Sequence, residues 1–378
     1  MTVRPRLTIL SKLFHKPEFW VVVAVLGIKI LLVVWGASVF NFQQHPQETV
    51  LSIWDRWDAH AYELIAEERY NASSAAPDYL AFLSHFPPVY PALIRMVHTV
   101  TFLSYRDSAF LISWLSILAA SVLLFRLVLN LGKSRSVAWT SVLLLNLLPT
   151  AYFSIAPYTE ALFVLEAIVV FFALRKERFT FAGAITGLAI LTRLMGVVLL
   201  PVLLVYAIRK RRFSFLVLPV LAIVGYLLMN AIYFHDPLYF FHEYKINIFS
   251  GKHLIIPFSE FASSWGTMIM RKFHLDTGFM MTIGWSAIFT LLGLIATGWA
   301  ALKKKLPIEY LLYTFGIMLF YASFSWGISN ARYIWSAFPL AIIGAQIESR
   351  WKKVALMVLC AVFLLYFTKL YVRGGWAF

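Results

Sequence analysis

The chain has 378 residues, of which 61% are hydrophobic and 13% are charged. A soluble domain is usually about 45–50% apolar, so this composition excludes an ordinary soluble enzyme and indicates a multi-span membrane protein. Lysine and arginine outnumber aspartate and glutamate by 33 to 18. The basic residues cluster between apolar segments, which is typical of membrane topology and argues against a nucleic-acid partner.

Apolar segments extend along the chain from Phe19 to Val372 without a long polar insert. We therefore expect residues 1–378 to form a single transmembrane domain. The first apolar run, Phe19–Phe40, is long enough to cross a membrane and is interpreted as an anchor. Cys360 is the only cysteine, so the sequence predicts neither a disulfide framework nor a cysteine metal site.

Six basic clusters are expected to stay on the cytoplasmic side, because lysine and arginine are enriched there. Placing them inside predicts about eleven spans, with external loops at 41–107 and 235–278. The count works only if Pro88–Leu103 lies along the membrane surface instead of crossing it. The clusters are Arg4/Arg6/Lys12/Lys16, Lys133/Arg135, Arg175/Lys176/Arg178, Arg209–Arg212, Lys303–Lys305 and Arg350/Lys352/Lys353.

The first loop carries two aspartates three residues apart, Asp55 and Asp58, in the run WDRWDAHAYELIA. On a helix this spacing places both carboxylates on one face, where they can bind a divalent cation or supply a general base. The alternative is an acidic interfacial helix that the aromatic residues Trp54, Trp57 and Tyr62 anchor at headgroup depth.

The same loop continues into HFPPVYP, which has three prolines within five residues. Proline fixes φ and stops a preceding helix, so the segment predicts a rigid turn before a new helix. This turn can position His85 and Tyr90 against a ligand. The alternative is a device that only starts the helix.

Four charged residues lie within or near the apolar segments. Glu160 and Arg193 are near span ends, where they can face a cavity or extend to the interface. Lys29 and Glu166 are in the middle of their spans. We expect these two to pair with each other in a structural role.

Two charged residues fall in short external loops. Arg332 in SNARYIW suits a phosphate ligand, because its planar guanidinium donates two parallel hydrogen bonds. Asp236 in FHDPLYF is a ligand-binding candidate, although Asp236-Pro237 is also an ordinary turn sequence.

In this topology the unusual polar residues all fall on the external face. They are Asp58, His85, Glu160, Arg193, Asp236 and Arg332. The sequence has no glycine-rich phosphate loop and no soluble domain for a nucleotide sugar. A sugar donor would therefore arrive attached to a membrane lipid.

The motifs WDAHAYELIA and FPPVYP resemble GPI mannosyltransferase II (the PIG-V type) and its prokaryotic relatives, which are multi-span glycosyltransferases of the GT-C class. The resemblance continues in order through IAPYTEALF, LAILTRLMG, FHDPLYFFHEY and SNARYIWSAFPL, from about residue 54 to about residue 340.

The resemblance implies an all-α, GT-C-like bundle with interfacial helices in the first loop. It also implies an inverting transfer, usually of mannose, from a polyprenyl- or dolichyl-phosphate donor. Asp58 matches the catalytic aspartate of the family. The donor- and substrate-binding positions are matched by Tyr62, Pro87, Pro91, Glu160, Arg193 and Arg332.

One position departs from the family pattern. The family has His or an aromatic residue three positions after the aspartate, where this chain has Ala61, with His60 just before it. Either His60 substitutes from the neighbouring turn, or this chain lacks that contact. Asp55 is not a general feature of the family, so no cofactor is expected beyond an open possibility of a divalent cation near Asp55 and Asp58.

The expected acceptor is a hydroxyl of a glycan, glycolipid or protein on the extracytoplasmic side. The membrane is the plasma or inner membrane in a prokaryote and the endoplasmic reticulum in a eukaryote. Two alternatives remain open. One is a secondary transporter that uses Lys29, Glu160, Glu166 and Arg193. The other is a non-catalytic subunit of a glycosylation complex.

Overall fold

The computed structural model describes residues 16–71, 74, 76–242, 253–270, 277–325 and 329–377. Within these ranges every regular element is a helix, and Leu254 and Phe324 form an isolated β-bridge. The expectation of an all-α protein is therefore confirmed. The helices are α1 (Pro17–Val39), α2 (Ala59–Glu68), α3 (Pro77–Phe82), α4 (Val89–Thr101), α5 (Tyr105–Asn130), α6 (Arg135–Leu147), α7 (Glu160–Arg175), α8 (Phe179–Thr192), α9 (Leu200–Lys210), α10 (Val217–Phe234), α11 (Tyr239–His242), α12 (Ser259–Met270), α13 (Thr277–Phe279), α14 (Trp285–Leu302), α15 (Ile308–Tyr321), α16 (Asn330–Ile334), α17 (Pro339–Ala345) and α18 (Arg350–Val372).

Five helical segments of the described residues are long and apolar enough to cross a membrane. They contain 21 to 26 residues each, and at about 1.5 Å per residue they reach across a hydrocarbon core of about 30 Å. The prediction of a membrane protein is therefore confirmed, whereas the count of about eleven spans stays a prediction. The five segments are Pro17–Val39, Tyr105–Asn130, Ser214–Phe234, Thr277–Leu302 and Arg350–Val372.

Local sequence explains where several of these helices begin. Ser104, Ser134 and Ser349 each accept a hydrogen bond from a backbone N–H in the first turn of α5, α6 and α18. Such caps satisfy backbone donors that have no partner inside the helix. Pro17 and Pro339 occupy first-turn positions of α1 and α17, where proline costs no hydrogen bond.

Helix α4 lies within the segment Pro88–Leu103, which the sequence predicts to lie along the membrane surface. It has 13 residues, so at about 1.5 Å per residue it is roughly 20 Å long, well short of a membrane core. It packs against α2 and α5. Arg95 joins it to α2 by donating to the carbonyl oxygens of Ala66 and Glu67, both at 2.6 Å. Its orientation relative to the membrane stays a prediction.

The expected ion pair between Lys29 and Glu166 is wrong. Both side chains are buried, but each has a different partner. Lys29 Nζ donates to the carbonyl oxygen of Ala151 at 3.5 Å, and Glu166 accepts from the Thr192 hydroxyl at 2.9 Å. The sequence shows that both residues are mid-span, but not which faces of their helices meet.

The core is one large apolar cluster, with a smaller cluster under the first predicted loop. Helices α8 and α10 approach closely at Gly183, where an added Cβ would lie 2.2 Å from the carbonyl oxygen of Phe215. This contact requires glycine and fixes α8 against the start of α10. Because α8 ends one residue before Arg193, the placement of α8 also determines where Arg193 lies.

Candidate active site

Three charged side chains meet at places where helices are interrupted. Glu160 is the first residue of α7, after a short 3₁₀ turn at Ala151–Ser154. Arg193 follows α8 with extended backbone (φ −152°, ψ 133°), and Arg332 is in the short helix α16. Such interruptions at membrane depth are tolerated where the backbone is buried in protein or lines a cavity.

These residues form a continuous network of ion pairs. Arg332 Nη1 donates to Asp58 Oδ2 at 3.0 Å, and Arg332 Nε lies 2.8 Å from Glu160 Oε1. Arg193 Nη1 lies 2.7 Å from the same Glu160 oxygen. The two Glu160 contacts satisfy ion-pair distances without hydrogen-bond alignment, so charge attraction holds this carboxylate in place. Two carboxylates therefore balance two guanidinium groups.

Aromatic rings enclose both guanidinium groups. The Arg332 Cζ atom is 4.8 Å from the ring centroid of Tyr333 and 5.2 Å from those of Phe153 and Tyr158. The Arg193 Cζ atom lies 5.0 Å from the centroid of the same Tyr333 ring. Cation–π contacts of this kind stabilise a cation most where water is excluded. The rings therefore keep the arginines buried and fixed in orientation.

Hydrogen bonds between the Tyr158 hydroxyl and the backbone around Asp58 position this residue. The Tyr158 hydroxyl accepts from the Asp58 N–H at 3.2 Å and donates to the Arg56 carbonyl at 2.6 Å. Asp58 stands at the start of α2, and its side chain is 28% exposed. Trp57 has φ +56°, a left-handed conformation that costs a non-glycine residue about 1–2 kcal/mol. This strain sits directly beside the carboxylate, where functional sites often store it.

The network lies at the wall of a cavity of about 730 Å³. This volume is within the usual range of about 300–1,000 Å³ for ligand pockets. Asp58, Arg193 and Arg332 line it with charged side chains, while α8 and α10 contribute apolar residues. The predicted site residues that line the cavity are Asp58, Tyr62, His85, Pro87, Arg193 and Arg332, and the apolar lining includes Ile190, Leu194, Val197, Ile223, Leu227, Phe240, Phe320 and Phe324.

Two predicted site residues lie directly behind this lining. Glu160 is fully buried and reaches the cavity only through the two arginines that it contacts. Tyr90 is also buried, and its hydroxyl contacts the Ala109 carbonyl at 3.2 Å and the Ser113 hydroxyl at 3.1 Å. Its ring packs edge-on against Tyr62 at 5.1 Å. Both residues therefore support cavity residues and do not themselves line the cavity.

Asp55 and His60 are not among the cavity-lining residues, so a site that they share with Asp58 stays a prediction. The argument from helical spacing fails because Asp55 and Trp57 are not helical and α2 begins only at Ala59. His60 is exposed, and its ring centroid is 6.1 Å from that of Tyr79. It follows Asp58 by two positions, a spacing that turns side chains to different helix faces.

Asp236 also lies outside the cavity lining. Its carboxylate accepts from the Leu238 N–H at 2.9 Å and lies 2.5 Å from His242 Nδ1. These contacts are those of a turn before α11, so the turn interpretation describes the observed geometry. The imidazole and the Leu238 N–H together lower the pKa of Asp236.

Two further acids, Asp55 and Glu63, lie in the segment between α1 and α5. Burial and the nearby Asp55 carboxylate together raise the pKa of Glu63 to about 8. Burial also raises the pKa of Asp55, against the opposing effect of Arg106. Among the described residues, no group of three or more His, Cys, Asp or Glu side chains is arranged to hold a metal ion.

Several residues that contact the network or line the cavity were not identified from the sequence. Tyr158 and Thr159 precede Glu160 in PYTEALF, so their position beside a candidate acid was the available signal. The Thr159 hydroxyl accepts from Arg193 at 2.6 Å and contacts the Tyr62 hydroxyl at 3.3 Å. Trp376 lines the cavity from the segment after α18, and nothing in its local sequence indicates this.

The fold and the site define a helical membrane protein with a cavity that charged side chains line. The family model described as Glycosyltransferase family 87 matches residues 85–325, more than half of the chain. The chain belongs to glycosyltransferase family 87 and is a membrane glycosyltransferase. The matched range includes Glu160 and Arg193, whereas Asp58 and Arg332 lie outside it. The narrower PIG-V type stays a prediction.

Solved structures of the Archaeoglobus fulgidus oligosaccharyltransferase are similar to the chain. The apo form has 14% identity and a TM-score of 0.49, with 96% of this chain and 57% of that chain covered. The complex of archaeal oligosaccharyltransferase AglB with an inhibitory peptide and a dolichol-phosphate has 12% identity and a TM-score of 0.44, with 93% and 55% covered. The chain thus spans just over half the length of these proteins. Comparison with curated proteins gave no match.

Proposed function

We propose that the chain transfers a hexose, mannose on the strength of the PIG-V-like motifs, from a polyprenyl- or dolichyl-phosphate donor to an acceptor hydroxyl. The observation that carries the proposal is the contact between Asp58 and Arg332 at the wall of one cavity. An acid next to an arginine gives a base for the acceptor and a cation for a phosphate leaving group.

Asp58 is the proposed general base. In the reaction, the acceptor oxygen forms a bond to the anomeric carbon while its proton passes to the Asp58 carboxylate. The bond from the anomeric carbon to the phosphate oxygen breaks, and the lipid phosphate leaves with the electron pair. A single displacement inverts the anomeric configuration and needs one base, so it requires no second carboxylate as nucleophile.

Arg332 is the proposed phosphate contact. Its guanidinium has five N–H donors, of which one points to Asp58 and one to the Tyr333 hydroxyl at 3.2 Å. Each terminal nitrogen therefore keeps one further N–H, the arrangement that binds phosphate in a bidentate way. Arg193 adds positive charge on the other side of Glu160. Developing negative charge on the leaving phosphate would be stabilised there.

The apolar wall supports a lipid-linked donor. Ile190, Leu194 and Val197 face the same cavity as Ile223 and Leu227 of α10. Burial of an acyl or isoprenoid chain is worth about 0.8 kcal/mol per methylene, so a lipid tail gains affinity along such a wall while its phosphate meets the arginines. The GT-C resemblance and the basic clusters favour a multi-pass topology with this site on the extracytoplasmic side.

The transporter alternative requires a polar path that joins Lys29, Glu160, Glu166 and Arg193. Neither Lys29 nor Glu166 is among the cavity-lining residues. The described contacts thus connect Glu160 and Arg193 to Asp58 and not to a path through the bundle.

The test is transfer by the purified protein from α- or β-linked polyprenyl-phosphate mannose to a panel of mannosides and glycolipids. The product linkage is read by NMR. We expect transfer with inversion from one donor anomer and no transfer from the nucleotide sugar alone. Retention of the donor configuration, or equal use of a nucleotide sugar without lipid, would contradict the proposal. Polyprenyl-phosphate glucose, tested in parallel, decides between mannose and another hexose.

A further inference from the structure

Trp57 is an unusual cavity residue. Its side chain is 47% exposed, although it is large and apolar, and it lines the cavity next to Asp58. Its backbone is in the left-handed region at φ +56°. A bulky residue rarely adopts this conformation, and where it does the surrounding structure or a function usually accounts for it.

The indole of Trp376 packs against that of Trp57, and the two rings together form a corner of the cavity wall. The ring centroids of Trp57 and Trp376 are 5.0 Å apart, with an interplanar angle of 66°. Hydrogen bonds from other parts of the chain hold the segment around Trp376 in place. Arg56 donates to the Val372 carbonyl at 3.3 Å, and the Tyr152 hydroxyl donates to the Ala377 carbonyl. Two aromatic rings from distant parts of the chain therefore meet beside Asp58, and both line the cavity.

The chemistry of this corner fits a sugar ring. The face of an indole is apolar and carries partial negative charge. One face of a pyranose presents C–H groups, which are apolar and slightly positive, while its hydroxyl groups point outward. Such a ring can stack on the indole and still offer hydroxyls to a neighbouring carboxylate.

We propose that Trp57 and Trp376 form a stacking subsite for a pyranose ring of the acceptor, so that the acceptor is a saccharide. This inference rests on the proposed function, in which Asp58 is the base. Because Trp57 is the residue immediately before Asp58, a ring stacked on it places a hydroxyl near the carboxylate. Arg332, on the opposite side of the ion pair, is then available for the donor phosphate.

The subsite is tested by binding, without turnover. Methyl α-D-mannopyranoside is titrated into purified protein carrying Asp58→Asn, and saturation-transfer NMR follows the sugar C–H protons. We expect binding in which one ring face receives most of the saturation. Glycerol, which has hydroxyls but no ring face, should not bind.

Variants of the two indoles define the contact. Trp57→Leu and Trp376→Leu should each weaken pyranoside binding by about two- to tenfold, the size of an aromatic contact. Trp57→Phe keeps a ring and should retain most of the affinity. Trp351→Leu is the matched control, because Trp351 is 81% exposed and lies outside the cavity lining. If Trp57→Leu does not fold, Trp376→Leu decides.

Three results would overturn the inference. They are the absence of pyranoside binding, unchanged affinity in both leucine variants, and displacement of the pyranoside by polyprenyl-phosphate mannose but not by polyprenyl phosphate. The third result would assign the corner to the donor sugar. Preferential binding of a peptide acceptor would be a fourth such result, because the acceptor would then not be a saccharide. Failure of the proposed function is distinguishable, because it appears as full transfer by Asp58→Asn and leaves the pyranoside titration unaffected.

Discussion

Arg332 Nη1 lies 3.0 Å from Asp58 Oδ2, although the two residues are 274 positions apart in the chain. The contact joins the turn before α2 to the short helix α16, and it places an acid and a cation at one cavity wall. Glu160 extends the same contact to Arg193.

Arg332→Ala should weaken binding of polyprenyl phosphate by about 10- to 100-fold, because a hydrogen bond to a charged group is worth about 1.5–3 kcal/mol. Arg332→Lys keeps the charge but loses the bidentate geometry, so it should recover only part of the affinity. Binding is measured by microscale thermophoresis in nanodiscs. Arg126→Ala is the control, because Arg126 is exposed and pairs with Glu18. Wild-type affinity in Arg332→Ala would exclude Arg332 as the phosphate contact.

Glu160→Gln should lower the stability of the protein by about 3–5 kcal/mol, because it leaves two buried guanidinium groups with only the Asp58 carboxylate to balance them. The readout is unfolding in detergent, followed by tryptophan fluorescence. Glu177→Gln removes one partner of the exposed pair with Lys210, so it should leave the unfolding midpoint nearly unchanged. Equal stability of the two variants would show that the buried network contributes nothing to folding.

The sequence predicted the class and the separate parts of the site. Apolar segments indicated a helical membrane protein, and the motifs selected Asp58, Glu160, Arg193 and Arg332, which the structure brings together. Their meeting could not be derived from spacing alone, since each residue lies at a helix interruption in a different part of the chain. The resemblance to a family supplied what local patterns lacked.

The errors have physical causes. Asp55 was placed with Asp58 by helical spacing, but the left-handed Trp57 interrupts the backbone between them. Lys29 and Glu166 were paired because both are mid-span, but a mid-span position does not fix which helix faces meet. Trp376 was missed because its role depends on where the segment after α18 returns to the bundle. Local backbone conformation decided the first case, and tertiary contacts decided the other two.

Gly183→Ala should destabilise the protein by about 1–3 kcal/mol, because the new methyl group would lie 2.2 Å from the Phe215 carbonyl oxygen. The strain should also reduce transfer, since α8 positions Arg193. Gly225→Ala in α10 is the matched control, because an added Cβ there meets nothing within 4 Å. It should leave stability unchanged or raise it by up to about 1 kcal/mol. The unfolding midpoints of the two variants give the comparison, and a reversed order would contradict the close helix contact.

Glu63→Gln should reduce the loss of stability that accompanies rising pH. The pKa of Glu63 is about 8 in the folded protein against an ordinary value of 4.5, so between these values the folded state binds the extra proton. Stability is therefore greatest below pH 4.5 for this group and falls as pH rises toward about 8.

Unfolding midpoints of the wild type and Glu63→Gln between pH 5 and 9 test this prediction, with the exposed Glu348→Gln as control. Asp55, Asp107, Glu67 and Arg106 act on the same carboxyl and are unchanged in Glu63→Gln. The variant should have the shallower slope and be the more stable protein above pH 8. Parallel curves would show that Glu63 titrates normally.

The most direct test of the proposed mechanism is the transfer rate of Asp58→Asn with a polyprenyl-phosphate hexose donor, measured beside Asp55→Asn. General-base catalysis contributes about 10²–10⁴-fold in rate, so Asp58→Asn should still bind polyprenyl phosphate but transfer sugar at least about 100-fold more slowly. Asp55→Asn should retain most of the activity, because Asp55 is not among the cavity-lining residues. Near-normal transfer by Asp58→Asn would contradict the assignment of Asp58 as the base.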